Sequence, residues 1–326
     1  MSLFKRNKKF DVSSLSKEEQ FGFAWLYIVG QNKRSEGLQI MKELSDKGFT
    51  EATIVLAMFP DNMEQRKTLL KKAADAGNPE GLWEYCSFLP HSYCPDPKNQ
   101  ADALWEEYCM KAAESGSVDA MNEIGNVFHR RKNYAESMYW YAMANAHGHP
   151  EGARGMQGIA REWKSAGAKR TKDANSNDSF NDVRLECALA YLDINAGTDL
   201  QIKPDDVIRY VMNGEPIAAY LGGDIFESIG NMQMACKMYS MIAQENDPRG
   251  MKCYADMLYL GRGVKQDQSA ALSMYKLAAE AGDRESMFTM GEFTKKTNSN
   301  LAAYWYGLAH SRGYQHALTR MLQLLR

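Results

Sequence analysis

The feature that most constrains this chain is a turn that recurs eight times. The segments SDKGFTEA (Gly48), ADAGNPEG (Gly77), AESGSVDA (Gly116), NAHGHPEG (Gly148), VMNGEPIA (Gly214), AQENDPRG (Asn246), AEAGDRES (Gly282) and HSRGYQHA (Gly313) each end one helix-like run and open another. Glycine, or Asn246 in one copy, suits the left-handed residue just past a helix C-terminus, where a Cβ is strained. Asn78, Ser117, Asp247 and Asp283 follow, with side chains that accept from the free N–H groups of the next helix. Pro79, Pro150, Pro216 and Pro248 take the first helical position, where a missing N–H is harmless. Glu51, Glu80, Asp119, Glu151 and Glu285 add acid at the positive end of the helix dipole. The signature is helix, sharp turn, helix.

Four residues beyond each anchor stand Ala52, Gly81, Ala120, Gly152, Ala218, Gly250, Ser286 and Ala317, all small. If such residues make up about a quarter of a chain, an unbroken column of this kind arises by chance on the order of once in 10⁵. Close helix packing is expected there. Ala73, Ala112, Ala144, Ala278 and Ala309 recur four before the anchor, and Tyr141, Tyr239, Tyr275 and Tyr306 seven before, with Met41, Leu70 and Cys109 as apolar substitutes. Small residues let two backbones approach, and the tyrosines are expected to fill the seam to the neighbouring pair.

Successive anchors lie 29, 39, 32, 66, 32, 36 and 31 residues apart, so the interval of 66 hides a further unit. Its second helix is expected at residues 182–195, while the polar, aperiodic stretch 167–181 reads as a mobile insertion. Ser16 and Glu19 have capping-box spacing and mark an N-terminal cap helix. The expected organisation is a tail and cap helix over 1–34, repeats over 35–166, the insertion over 167–181, and repeats with a C-terminal cap helix over 182–326. No segment reads as an alternating strand, so the fold class is all-α.

Composition removes several function classes. The 39 basic and 41 acidic side chains nearly cancel, leaving no broad positive field for nucleic acid. The basic cluster Lys5, Arg6, Lys8 and Lys9 reads as a solvated tail. The most apolar run, FGFAWLYIVG (21–30), is half the roughly 20 residues of a membrane span. Asp11, Lys17, Glu18 and Glu19 separate it from the basic start, which is unlike a signal peptide, and a cytoplasmic location is expected. The six cysteines have irregular spacings and read as reduced thiols.

The stretch AALSMYKLAAEAGDRESMFTMGEF (270–293), preceded by ADMLYLGRGVKQD (255–267), resembles the Sel-one-like repeat (SLR) family, relatives of the TPR array. The family pattern is met by Ala271, Met274, Tyr275, Ala278, Ala279, Gly282 and Ser286, and by Tyr259, Gly261, Gly263, Val264 and Asp267. The resemblance is good around 103–128 and 135–152, and the phasing covers roughly 35–325. It implies a right-handed superhelical solenoid of antiparallel helix pairs whose first helices line a concave face. It also implies a non-enzymatic, cofactor-free scaffold or adaptor, bacterial in source, that binds a partner protein or peptide as a regulator, chaperone or cognate neutraliser. The columns in which one branch of the family places disulfide cysteines hold Ala279 and Ser286, so stapling is not implied.

Gly261 and Gly263 lack a third glycine at Gln266 and a preceding strand, so a nucleotide loop is excluded in favour of a structural turn. Cys86, His91, Cys94 and Cys109 supply enough soft ligands for zinc and define the alternative reading, a metal-binding protein or enzyme. His147 and His149 flank Gly148 and read as turn residues. No hydrolase signature of the Gly-x-Ser-x-Gly or His-Glu-x-x-His kind occurs. The recognition candidates are Tyr108, Trp140, Met238, Met274 and Trp305, eight before the anchors, with Tyr139 and Tyr304 beside them and Lys111 flanking. The same column fits an inter-repeat core, so both readings stand.

Overall fold

The computed structural model describes residues 12–30, 33–165, 208, 211 and 216–325. The insertion and the hidden helix expected at 182–195 lie outside the described residues. Within them the chain is helical, with no strand. The helices are α1 (Lys17–Val29), α2 (Arg34–Asp46), α3 (Thr50–Ala57), α4 (Met63–Asp75), α5 (Pro79–Cys86), α6 (Gln100–Glu114), α7 (Val118–Arg130), α8 (Tyr134–Ala146) and α9 (Gly152–Ser165). They continue as α10 (Pro216–Ser228), α11 (Met232–Gln244), α12 (Pro248–Leu260), α13 (Gln268–Glu280), α14 (Arg284–Thr294), α15 (Ser299–Ser311) and α16 (Gln315–Gln323). Most pack on a sequence neighbour, as in α2 on α3, α4 on α5 and α11 on α12.

The turns are built as the sequence dictates. Gly48, Gly77, Gly116, Gly148, Asn246, Gly282 and Gly313 all have positive φ, and Gly214 lies outside the described residues. Asn78, Asp247 and Asp283 accept from Gly81 N, Gly250 N and Ser286 N. Ser117 is buried and makes no capping bond, and Pro150 sits in the turn ahead of α9 and not in its first turn. Two linkers between pairs use the same device: left-handed Lys132 and Gly230 are followed by Asn133 and Asn231, whose side chains cap α8 and α11.

All eight small residues of the column beyond the anchors are buried. A Cβ on Gly81 would lie 2.6 Å from that of Ala73, and one on Gly250 would lie 2.4 Å from the Ile242 side chain, so the two helices of a pair meet backbone to backbone. The tyrosine column forms a recurrent clasp between pairs. The Tyr141, Tyr239 and Tyr306 rings lie over Gly125, Gly223 and Gly291, where a Cβ would intrude to 2.7, 2.2 and 2.5 Å. Their hydroxyls donate to the next residue along, Asn126 (2.5 Å), Asp224 (2.8 Å) and Glu292 (2.7 Å). Burial pushes the Tyr141 phenol up to about 12 and Tyr239 and Tyr306 upward too, so all three remain donors.

The chain divides into two compact units, one of residues Met1–Phe88 with Leu272–Arg326, the other of Leu89–Ala271. In the first, α1 packs on α2 and also on α15, near the other end of the chain. Glycines make both contacts close: a Cβ on Gly22 would fall 1.8 Å from Asn300 O, one on Gly307 would fall 2.5 Å from the Trp25 ring, and one on Gly37 would fall 2.7 Å from Ala24 O. The Phe21 ring stands edge-on to Tyr304 at 5.5 Å. The expected capping box is formed by Ser16 and Glu19. Glu19 also accepts from Asn298 at 2.6 Å, and these bonds hold its carboxyl below the ordinary value.

In the second unit, Gly261 and Gly263 are left-handed, and a Cβ on Gly263 would fall 1.9 Å from Met232 O. The glycine pair is a tight link laid against the start of α11. Asp267 then caps α13 through Ala270 N at 2.9 Å.

Candidate functional site

The recognition column splits on burial. Met238, Tyr304 and Trp305 are 2%, 9% and 3% exposed and belong to the core. Tyr304 is covered by Phe21 of α1, and the Trp305 ring lies 4.8 Å from it, tilted at 59°. Of the two readings the column allows, these three positions are core. Tyr108, Tyr139, Trp140 and Met274 are half-buried and Lys111 is exposed.

The aromatic candidates that stay accessible on α6 and α8 belong to the second unit. On α6, Lys111 Nζ sits 5.9 Å from the Tyr108 ring centre and bonds Glu107 at 2.6 Å, which raises its pKa. On α8, the Tyr139 and Trp140 rings meet edge to face at 5.3 Å. The helix that carries them is fixed from beneath by the Tyr141 clasp and by Ser137 Oγ, which donates to Gly125 O at 2.7 Å. Rigid backbone beneath half-exposed aromatic rings lowers the entropy that a partner must remove on binding.

The loop between α5 and α6 adds a residue the sequence did not single out. Asp102 is buried and accepts from Ser92 N (2.6 Å), Ser92 Oγ (2.8 Å) and Asp96 N (3.0 Å), and these bonds hold its carboxyl below the ordinary value. Arg131 forks onto Glu106 with both contacts at 2.7 Å and also reaches Pro95 O. Tyr93, carried on this braced loop, is 82% exposed, with Arg130 4.7 Å from its ring centre. The signal in the sequence was the 39-residue spacing of this unit, which makes room for the loop.

The zinc alternative is not assembled. Cys86 and Cys109 are buried, Cys94 is exposed, and His91 stacks on Trp105 at 4.3 Å with its Nδ1 against Leu89 O. Among the described residues, no three His, Cys, Asp or Glu side chains come together as metal ligands.

His147 is more than a turn residue. It reaches from the end of α8 to Asp247 at 3.4 Å, and the Tyr220 hydroxyl donates to the same carboxylate. Burial raises the Asp247 pKa, but His147, Tyr220 and the Gly250 N–H outweigh it and bring the carboxyl below its ordinary value. His149 pairs with Asp119 at 3.2 Å and His129 with Glu162 at 3.1 Å. These contacts tie helices together and place no nucleophile beside a base.

No family model and no curated protein matches the chain. Among solved structures, it is similar to a Sel1 repeat protein from Oxalobacter formigenes at 17% identity over 98% of this chain and 86% of that one, with a TM-score of 0.36. It is also similar to a protective antigen of uropathogenic Escherichia coli strains that displays an SLR fold, at 15% identity over 96% of this chain and 91% of that one, with a TM-score of 0.35. By its own helices and turns, this is an all-α helix-pair repeat protein. No helix among the described residues is long and apolar enough to cross a membrane.

Proposed function

We propose that the protein is a non-enzymatic scaffold of the bacterial cytoplasm that binds a partner protein or peptide through the first helices of its repeats, as a regulator, chaperone or cognate neutraliser. The observation that carries this reading is the set of accessible aromatic side chains on braced backbone in the second unit, namely Tyr108, Tyr139, Trp140 and Tyr93. Aromatic rings with one wet edge and one packed face are what protein interfaces use as anchors. Lys111 beside Tyr108 extends the set with a charge, while Met274 on α13 is a separate half-buried candidate in the first unit.

The test is capture from the native cell with the tagged chain, compared with a Tyr108→Ala, Trp140→Ala variant. The reading expects a stoichiometric partner that the variant loses while its unfolding midpoint stays near that of the wild type. Equal recovery with both chains contradicts the assignment to this face. Cell fractionation checks the compartment.

A further inference from the structure

The α1–α15 seam differs from its neighbours in the first unit in how it is joined. The pairs α2–α3, α4–α5, α14–α15 and α15–α16 are connected by turns of a few residues, whereas α1 and α15 are connected only through the rest of the chain. The two faces match through Gly22 against Asn300 and Tyr304, and Gly307 against Trp25. Among the described residues, nine buried side-chain nitrogen or oxygen atoms lack a hydrogen-bond partner, and four sit on these two helices: Trp25 Nε1, Asn300 Oδ1, Trp305 Nε1 and His310 Nδ1. Closing the seam leaves these groups with neither water nor a partner, so beyond the Asn298–Glu19 hydrogen bond and the edge-on Trp25–His310 contact its attraction rests on shape and apolar burial.

We propose that the α15 face covered by α1 is an exchangeable docking surface whose other occupant is α1 of a second copy of this chain. The face dictates that occupant. A helix laid on it needs a glycine opposite Asn300 and aromatic rings opposite Tyr304 and Gly307, and the chain's own α1 carries Gly22, Phe21 and Trp25 there. Reciprocal exchange between two copies rebuilds the same contacts twice and closes, so the balance between the two arrangements depends on concentration.

Complementation tests this. Gly22→Leu spoils α1 and leaves the α15 face intact, while Gly307→Leu spoils α15 and leaves α1 intact. Each variant alone is expected to sediment as a single chain of 36.8 kDa. An equimolar mixture holds one unspoiled pair of faces and is expected to form a species of twice that mass, growing with concentration. Two single chains in the mixture, or a dimer of either variant alone as abundant as the mixed one, overturns the proposal. Circular dichroism follows the fold of each variant. If leucine unfolds the first unit, Gly22→Ala with Gly307→Ala is read in the same way, and the same absence of a mixed dimer counts against it.

Discussion

Asn298 donates a 2.6 Å hydrogen bond to Glu19, a residue 279 positions earlier in the chain. Around that bond, α1 lies on α15 as closely as any turn-linked pair lies together. Tyr304 is buried against Phe21 of α1 and Trp305, in the column of Trp140 and Tyr108, is buried beside it, so the candidate rings that stay accessible are those on α6 and α8 of the second unit.

The seam is expected to be sensitive to a single methyl group. Gly22→Ala places a Cβ 1.8 Å from Asn300 O, a clash with backbone that no rotamer relieves. Overpacking of this kind costs about 1–3 kcal/mol, read as a lower unfolding midpoint in denaturant. Gly158→Ala, where a Cβ would meet nothing within 4 Å, is the control and is expected to leave the midpoint near wild type or raise it.

The tyrosine clasp separates shape from hydrogen bonding. Tyr239→Phe leaves Asp224, whose pKa burial already raises, without its donor, and the loss is about 1–3 kcal/mol. Gly223→Ala keeps that donor but drives a Cβ to 2.2 Å from the ring, so helix packing must give way. Both variants are expected to lower the denaturation midpoint. The alanine variant alone is expected to disturb the environment of the ring, seen in near-ultraviolet circular dichroism.

The two turn glycines Gly48 and Gly263 carry positive φ in different surroundings. Alanine at Gly48 meets open space and pays the left-handed strain alone, about 1–2 kcal/mol. Alanine at Gly263 adds a collision at 1.9 Å with Met232 O and is expected to cost clearly more in the same urea titration.

Asp247 gives the structure a pH dependence of known sign. Its carboxyl is held below the ordinary value of 3.8, so its contribution is complete above that pH and is lost as pH falls through the lower folded value. Asn at this position can still accept from Gly250 N. The wild type is therefore expected to lose more stability than Asp247→Asn as pH falls below about 4, measured by chemical denaturation at each pH.

The turns, the small column and the tyrosine seam were legible because each is local chemistry repeated with a period. Gly77 needs no neighbour to require positive φ, and Gly81 faces Ala73 only eight positions away. The α1–α15 seam has no period. Its traces were single glycines inside the apolar runs FGFAWL and YWYGLAH, which gain meaning only when one is set against the other. For the same reason the sequence left Tyr304 open between core and surface, because Phe21, which packs edge-on against it, lies at the far end of the sequence. His147 read as a turn residue because its carboxylate partner stands 100 positions on, and Tyr93 was missed because its brace, Asp102, acts through a loop with no repeat.

The measurement that tests the central relationship most directly is a nuclear Overhauser contact between the Gly22 Hα protons and the Tyr304 amide, in a dilute sample labelled at glycine and tyrosine. A Cβ on Gly22 would lie 2.7 Å from Tyr304 N, so the structure predicts a strong cross-peak that Gly307→Leu weakens or abolishes. A folded wild-type chain with both resonances assigned and no cross-peak between them would contradict the closure of α1 onto α15.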